Sequence, residues 1–426
     1  MADTLHALSV AIVGGGVGGL TAAITLRQQG HNITVIEQKQ QYLDSNGGGG
    51  LSISFNAIRC LLRLGIDEEL KQIADEATEW LVQRHSDGVE KSRTKVEKWR
   101  IFVHRTDLLR VLHRRAAQLG VQFMFGQSFQ SLQEVEHGVK VQISNGEIVD
   151  ADVLLGADGI NSKVRPAIPG NRDIPPELTG HRTFLVDVPK QKMDQHPDTA
   201  ELYSLPAFQS WIGGQRAIIG WTMRGRESYH FQMNDHRVGN GEYRGTNDGS
   251  TERFVSRVAD MPAFRESWKD YEPTVRQMLD AVESCTEWKI AELPEHVAWS
   301  DASGRVILIG DAAHAFAPFA GQGACMALED ATVLSAMISR MKPPYDWPAV
   351  AQAYARMRQP RIHLIRENIR AIIAICCQPA DDVPGPGSAP TMPHLLKDEF
   401  EVVQNYDAFE EALKVWDTLR LNGERN

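Results

Sequence analysis

The chain opens on two apolar runs separated by a helical pattern. "LSVAIVGGG" is rich in β-branched residues and stops at three glycines, "GLTAAITLRQQG" is built of helix formers and ends at Gly30, and "NITVIEQ" is a second buried-strand pattern. This is a β-α-β opening, the unit that places two parallel strands side by side. After four glycines, Gly47 to Gly50, "LSISFNAIRCLLRLG" reads as an extended stretch leading into a helix. "VHRTDLLRVLHRRAAQLG" repeats Leu108, Leu109 and Leu112 at helical spacing, and "ADVLLGADGINSKVR" is an apolar strand that ends in Asp158-Gly159 and a polar turn reaching Arg165. "RVILIGDAAHAFAPFAGQGACMALEDA" again drives an apolar strand into a carboxylate, Asp311, and then thins into small residues, Pro318 and Gly-Gln-Gly.

Residues 175–290 differ in character. "HRTFLVDVP", "SWIGGQRAIIGWTM" and "SYHFQMN" read as strands, set apart by polar loops rich in Gly, Asn and Asp. Past Asp330, "ATVLSAMISRM" predicts a helix ending at Pro343-Pro344, and "WPAVAQAYARMRQPRIHLIRENIRAIIAICC" one or two amphipathic helices. The apolar run Ala371 to Cys377 is too short for a membrane anchor and predicts a core or dimer face. "QPADDVPGPGSAPTMP" is a Pro- and Gly-rich linker, and "FEEALKVWDTLRL" a final helix docking through Leu413, Trp416 and Leu419.

Composition narrows the class. The 426 residues, 42% hydrophobic and 23% charged, suffice for one large or two ordinary cores. A formal charge of -10 argues against non-specific nucleic-acid binding, which draws its affinity from Lys and Arg on phosphates. The five cysteines have neither the CxxC spacing of a metal site nor the density of a disulfide scaffold, which predicts a reducing, cytoplasmic setting and no metal. The start "MADTLHALSVAIVGGGVGGL" lacks the basic region of a signal peptide, and no segment reaches the roughly 18 apolar residues of a membrane span.

The first motif carries chemistry. Gly14, Gly16 and Gly19 form GxGxxG at the strand-to-helix turn, and Glu37 ends the next strand. Gly14 permits the tight turn, Gly16 lets a pyrophosphate approach the backbone, and Gly19 lets helix and strand pack closely. The helix N-terminus offers unpaired N–H groups to the phosphates, and Glu37 accepts ribose hydroxyls. GxGxxG alone is a weak signal. With strand, helix and acid in register it predicts dinucleotide binding, without choosing between FAD and NAD.

Three separated motifs now stand in order: GxGxxG with Glu37, Asp158-Gly159, and Gly310-Asp311. With them the chain resembles the group A flavoprotein monooxygenases, single-component FAD enzymes of the salicylate and p-hydroxybenzoate hydroxylase type, over most of residues 8–360. The resemblance implies an α/β fold: a Rossmann-like, three-layer FAD-binding domain with an inserted mixed β-sheet substrate domain and C-terminal helices. The expected divisions are 1–75, 100–174 and 291–345 for FAD, 76–99 and 175–290 for the substrate sheet, and 346–426 for the helical region. It implies noncovalent FAD, with Glu37 at the adenosine ribose, Arg105 at the phosphates and Gly50 beside a mobile flavin. Asp158 belongs to the second motif, and Asp311 meets the ribityl or ribose hydroxyls. The turn at Gly323 and Ala324 faces the isoalloxazine, where small residues leave main-chain N–H groups free and the following helix aims its positive end at the pyrimidine oxygens.

The reaction implied is insertion of one atom of O₂ into an electron-rich aromatic or related small molecule through a flavin C4a-hydroperoxide, by hydroxylation or epoxidation. NADPH or NADH is a transient co-substrate, since no second GxGxxG follows a strand and "GNGEYRG" at 239 sits in a polar loop. The assembly expected is a monomer or homodimer. Many relatives carry a His and a Tyr four residues apart on the strand aligned with "AIIGW", where this chain has Ala217 and Trp221. Polar candidates in the insert are Arg182, Tyr203, Arg216, Tyr229 and His230, and Arg182 is the choice, because a fixed guanidinium on an apolar strand can orient a substrate oxyanion. Two alternatives remain. One is another FAD oxidoreductase of the same fold, such as a reductase or dehydrogenase, with the halogenase branch lowered by the missing WxWxIP. The other is a non-enzymatic FAD-fold binding protein.

Overall fold

The computed structural model describes residues 7–40, 49–95, 100–237, 254–378 and 402–423. Gly47 and Gly48, "GNGEYRG" and the Pro- and Gly-rich run from 379 to 393 lie outside them. Strand β1 (Ser9–Val13), helix α1 (Val17–Gln28) and β2 (Asn32–Glu37) form the opening unit, with Ala11 opposite Thr34 in a parallel pair. Helix α1 is buried from Val17 to Leu26, which is why its sequence is apolar around the whole circumference. Gly30 takes φ 93°, the left-handed conformation that ends the helix and that glycine adopts without strain.

Next come β3 (Gly50–Ile53), α2 (Phe55–Leu62), α3 (Asp67–Ile73), β4 (Asp75–Glu76), β5 (Glu79–Arg84), β6 (Glu90–Lys95), β7 (Ile101–His104) and α4 (Arg105–Gln118). Strands β8 (Gln122–Phe125), β9 (Phe129–Val135), β10 (Gly138–Ile143), β11 (Ile148–Ala151) and β12 (Val153–Gly156) follow. The middle of the chain supplies β13 (Glu177–Pro189), α5 (Lys190–Met193), α6 (Pro197–Ser204), β14 (Ala207–Gly213), β15 (Arg216–Met223), β16 (Ser228–Asp235), β17 (Val255–Arg257), α7 (Met261–Glu266), α8 (Pro273–Asp280) and β18 (Thr286–Glu292). The last elements are β19 (Val306–Leu308), α9 (Asp311–His314), α10 (Gly323–Ile338), α11 (Trp347–Cys376) and α12 (Ala408–Gly423).

Strands β19-β12-β1-β2-β8 form a parallel five-stranded sheet. Helices α1, α4 and α10 pack together on one face, and the antiparallel β9-β10-β11 sheet lies against the other, giving the three layers expected of an α/β nucleotide fold. A mixed eight-stranded sheet, β17-β18-β13-β16-β15-β14-β5-β6, stands beside it; only the β14 and β5 pair is parallel. "SWIGGQRAIIGWTM" is two strands rather than one. Gly213 and Gly214 turn it into a hairpin at φ 144° and 63°, conformations that L-residues adopt at a cost.

The C-terminal helical pattern is one helix of 30 residues, α11, with Pro360 inside it. Ile372 and Cys376 of the apolar run are buried in the main core, and Trp416 of α12 docks there with Leu413 and Leu419. All five cysteines are free. Among the described residues no helix is long and apolar enough to cross a membrane.

Candidate flavin and substrate site

The three glycines of GxGxxG have three separate steric environments. Gly14 takes φ 104°, and a Cβ there would stand 2.3 Å from the Ala157 carbonyl oxygen, where the β12 loop crosses. A Cβ on Gly19 would stand 2.0 Å from the Gly14 carbonyl oxygen, so α1 can approach β1 only without a side chain. A Cβ on Gly16 would meet nothing within 4 Å. That open space lies at the N-terminus of α1, whose first N–H groups have no intrahelical partner, and it suits a phosphate. Glu37 is buried and already engaged: Oε2 accepts from the Gly15 N–H at 2.7 Å and Oε1 from the Lys39 N–H at 2.9 Å. Each oxygen keeps a second lone pair for a hydroxyl.

Asp158 ends its strand as the pattern requires. Its Oδ2 accepts from the N–H groups of Lys163 and Val164 at 2.7 and 3.2 Å, which closes the turn, while Oδ1 is buried without a partner. Burial pushes its carboxyl pKa up. Arg165 ties this turn to the third motif, donating to the Ala312 and Ile160 carbonyls at 3.2 and 2.9 Å. Asp311 opens α9 with its side chain exposed at the surface, though packed about by protein. Burial there raises its pKa, against the pull of His314 and Arg105. Arg105 and Asp311 thus lie near enough for the charge of one to act on the other. Beyond them, a Cβ on Gly323 would meet nothing within 4 Å, and Ala324 is half-buried, so the first N–H groups of α10 stand open. An orphaned carboxylate oxygen, an open phosphate cradle and an uncovered helix N-terminus together fit a flavin dinucleotide.

A buried ion network anchors this motif from below. Asp330 of α10 accepts from the Gly310 N–H at 2.9 Å, bonds His314 Nε2 at 2.7 Å and accepts from Arg358 Nε at 2.7 Å. Glu329 accepts from Asn56, Arg358 and Arg361. His314 is therefore a packed support rather than a group facing substrate. Burial raises the Asp330 pKa, but His314 and Arg358 outweigh it and bring it down to about 2. A carboxylate depressed in the fold contributes stability that is complete above its unfolded pKa of ~4 and is lost as pH falls through the folded value. Between pH ~4 and ~2 the melting temperature is expected to fall steeply, and Asp330→Asn to flatten that limb of the profile. Parallel limbs in the two proteins would show that other carboxylates govern acid unfolding.

The eight-stranded sheet has two faces, set by the period-2 alternation of side chains. Phe184, Val186, Tyr229, Phe231, Met233 and Trp211 point to the helix-covered face, where they pack with Phe264 and Trp268. Arg182 lies on that face. Its guanidinium is held by Asp235 at 2.8 Å and Glu287 at 3.4 Å, over the Phe184 ring. The expectation that Arg182 orients substrate is corrected: it points away from the flavin motifs and is neutralised by two carboxylates. Arg216, paired with Asp270, and the fully buried Tyr229 share that face, and Tyr203 sits on α6 beside Lys190. Of the five insert candidates, His230 alone faces the nucleotide fold.

His230 is completely buried, bonds Asp187 Oδ1 through Nδ1 at 2.8 Å, and accepts from the Gly50 N–H through Nε2 at 3.2 Å. A Cβ on Gly50 would stand 2.6 Å from the Trp221 ring and 2.9 Å from His230, so the glycine there is a requirement of close approach. Trp221 stacks on Phe102 at 5.0 Å and forms an aromatic wall. Sequence reasoning missed two residues further along this face. His181 and His236 lie 5.1 Å apart by ring centroid, and His236 meets Phe319 of the flavin-side turn at 4.6 Å. Neither ring nitrogen of the buried His236 has a partner, and burial lowers its pKa to about 4, so it stands neutral and unsatisfied against the turn. The alternation His230, Gln232, Asn234, His236 was readable as a polar stripe, but which stripe meets the cofactor was not.

Comparison with known proteins agrees with this geometry. The FAD binding domain family matches residues 7–363. The chain is 26% identical over 380 residues to the FAD-dependent monooxygenase OpS4 of Beauveria bassiana (strain ARSEF 2860), covering 86% of this chain and 85% of that protein. It is 28% identical over 370 residues to a 3-hydroxybenzoate 6-hydroxylase of Polaromonas naphthalenivorans (strain CJ2), covering 85% and 86%. Among solved structures it superposes on a salicylate hydroxylase substrate complex with TM-score 0.79 at 22% identity, covering 96% of this chain and 98% of that one. The shared fold, the three dinucleotide motifs and their open cradle place the chain in the FAD binding domain family, as an FAD-dependent monooxygenase.

Proposed function

We propose that this monooxygenase uses NAD(P)H and O₂ to hydroxylate or epoxidise an electron-rich aromatic or related small molecule. The observation that supports it most is the turn Ala315–Gln322, poor in polar side chains, which meets Ser54 through Gln322 on one side and the polar stripe of the eight-stranded sheet through Phe319 and His236 on the other. A bound FAD would supply the redox and O₂ chemistry of such a reaction, with NAD(P)H as the two-electron reductant and water as the second product.

The chain's own residues hold and shield that chemistry. Gly14, Gly16 and Gly19 shape the phosphate cradle, Arg105 neutralises phosphate charge, and Glu37, Asp158 and Asp311 accept sugar and ribityl hydroxyls. The N–H groups at Gly323 and Ala324 would meet the flavin oxygens, and Gly50 lets β3 lie directly against Trp221 and His230 of the sheet. Phe102, Trp221 and Phe319 keep water out, which protects a reactive oxygen donor. His181 and His236 accept a hydrogen bond from a substrate hydroxyl. NAD(P)H binds transiently, without a nucleotide fold of its own.

The test is product analysis under isotopically labelled O₂, with hydroxybenzoates, the class in one relative's name, heading the substrate screen. One labelled atom per product molecule is expected, together with faster NAD(P)H oxidation when substrate is present. Unlabelled products from every substrate that is turned over would make the chain a reductase or dehydrogenase.

A further inference from the structure

We propose that Arg100, together with Ser52, is the anion-binding element of the substrate pocket, so that the substrate is taken as an acid and its carboxylate or equally acidic enolate is held from the FAD-binding side. This deepens the monooxygenase reading and rests on it. Arg100 immediately precedes β7, whose Ile101 pairs with Ile53 of β3. Its Nη1 donates to Ser52 Oγ at 2.6 Å. Among the described residues it forms no ion pair with a carboxylate, and the neutral Cys325 thiol lies near it.

A half-buried guanidinium tied to one neutral hydroxyl carries a desolvation cost, because burial disfavours its charge; burial lowers the Arg100 pKa accordingly. Such a cation calls for an anion. Its five N–H donors match a carboxylate in a planar, two-point grip, and Ser52 uses only part of that capacity. The other arginines that sequence reasoning offered are spent, Arg182 on Asp235 and Glu287, and Arg216 on Asp270.

The location favours substrate over cofactor. Alternation puts Arg100 on the strand face of Phe102, whose ring stacks on Trp221 and Phe208 of the eight-stranded sheet. Ser52, opposite Phe102 in register, faces the flavin-side turn, since a Cβ on Gly321 would lie 3.9 Å from its Oγ. The α10 N-terminus already offers N–H groups to the flavin oxygens, which leaves Arg100 for the other occupant of the pocket.

The experiment titrates the FAD-loaded protein with 3-hydroxybenzoate and with its neutral isostere 3-hydroxybenzamide, read by the flavin absorbance change without turnover. Wild type is expected to prefer the acid by ~10- to 100-fold, the range of one charge-assisted, two-point contact. Arg100→Gln should abolish the preference while FAD stays bound, Arg100→Lys should restore part of it, and Ser52→Ala should weaken acid binding severalfold. The flavin midpoint potential of the ligand-free protein should be the same in wild type and Arg100→Gln.

A lowered potential in Arg100→Gln with the acid preference intact would overturn the proposal and assign the arginine to the reduced cofactor. Equal affinity of wild type for acid and amide, or failure of both to bind, would overturn it as well. The monooxygenase reading fails by a different sign, the absence of labelled oxygen in product, which leaves the acid preference measurable.

Discussion

Arg358→Met is expected to lower the stability of the FAD-free protein by ~3–5 kcal/mol, the range for removing one partner of a buried ion pair. Arg358, Glu329 and Asp330 are all fully buried. The guanidinium donates to both carboxylates and, at 3.4 Å, to the Met326 carbonyl. Methionine fills a similar volume, so the loss reports charge and hydrogen bonding rather than a cavity. Glu329 retains Arg361 and Asn56, and Asp330 retains His314 and the Gly310 N–H, which limits the loss to the arginine's own share. Because Asp330 also positions Gly310, FAD affinity should fall with stability. Denaturant unfolding with and without FAD checks both effects. A loss under ~1 kcal/mol would mean that protonation or water has replaced the arginine.

Gly16→Val and Gly19→Ala should fail in opposite ways. A Cβ on Gly19 collides with the Gly14 backbone oxygen, an atom that cannot swing aside, so β1 and α1 must separate. The FAD-free protein is expected to lose ~3 kcal/mol or more, or not to accumulate as a folded species. Gly16 faces open space, so valine there leaves the apo fold intact and occupies the phosphate cradle instead. Its FAD affinity should fall ~100-fold, the worth of one or two backbone bonds to a charged phosphate. Fluorescence titration of FAD and thermal melting of apo protein separate the two outcomes. Unchanged FAD affinity in Gly16→Val would remove Gly16 from the cradle.

The strand-helix-strand opening and the three motifs were legible because each is local. A glycine at a turn, an acid at a strand end and an apolar run carry their meaning within a few residues, and the tertiary fold has little room to override them. The insert was legible only as strands. Its β-rich composition announced a sheet, but Arg182 was chosen to orient substrate without knowledge of its face, since a strand shows which residues alternate and not which of its two faces turns toward the nucleotide fold. The misreading of "SWIGGQRAIIGWTM" has a similar origin: two glycines permit a hairpin without demanding one.

By itself, the sequence determined the class of nucleotide fold and the identity of its turns, since backbone conformation and strand burial follow from residue types within one element. The tertiary structure decided everything that depends on pairing across the chain. It spent Arg182 and Arg216 on carboxylates far away in sequence, seated His230 over Gly50, gathered Asp330, His314 and Arg358 beneath the Gly-Asp motif, and left Arg100 beside Ser52 with no carboxylate partner among the described residues. The charge of a side chain is written in the sequence, whereas its neutralisation depends on which strands lie beside it, and that is settled only when the sheets pair and pack.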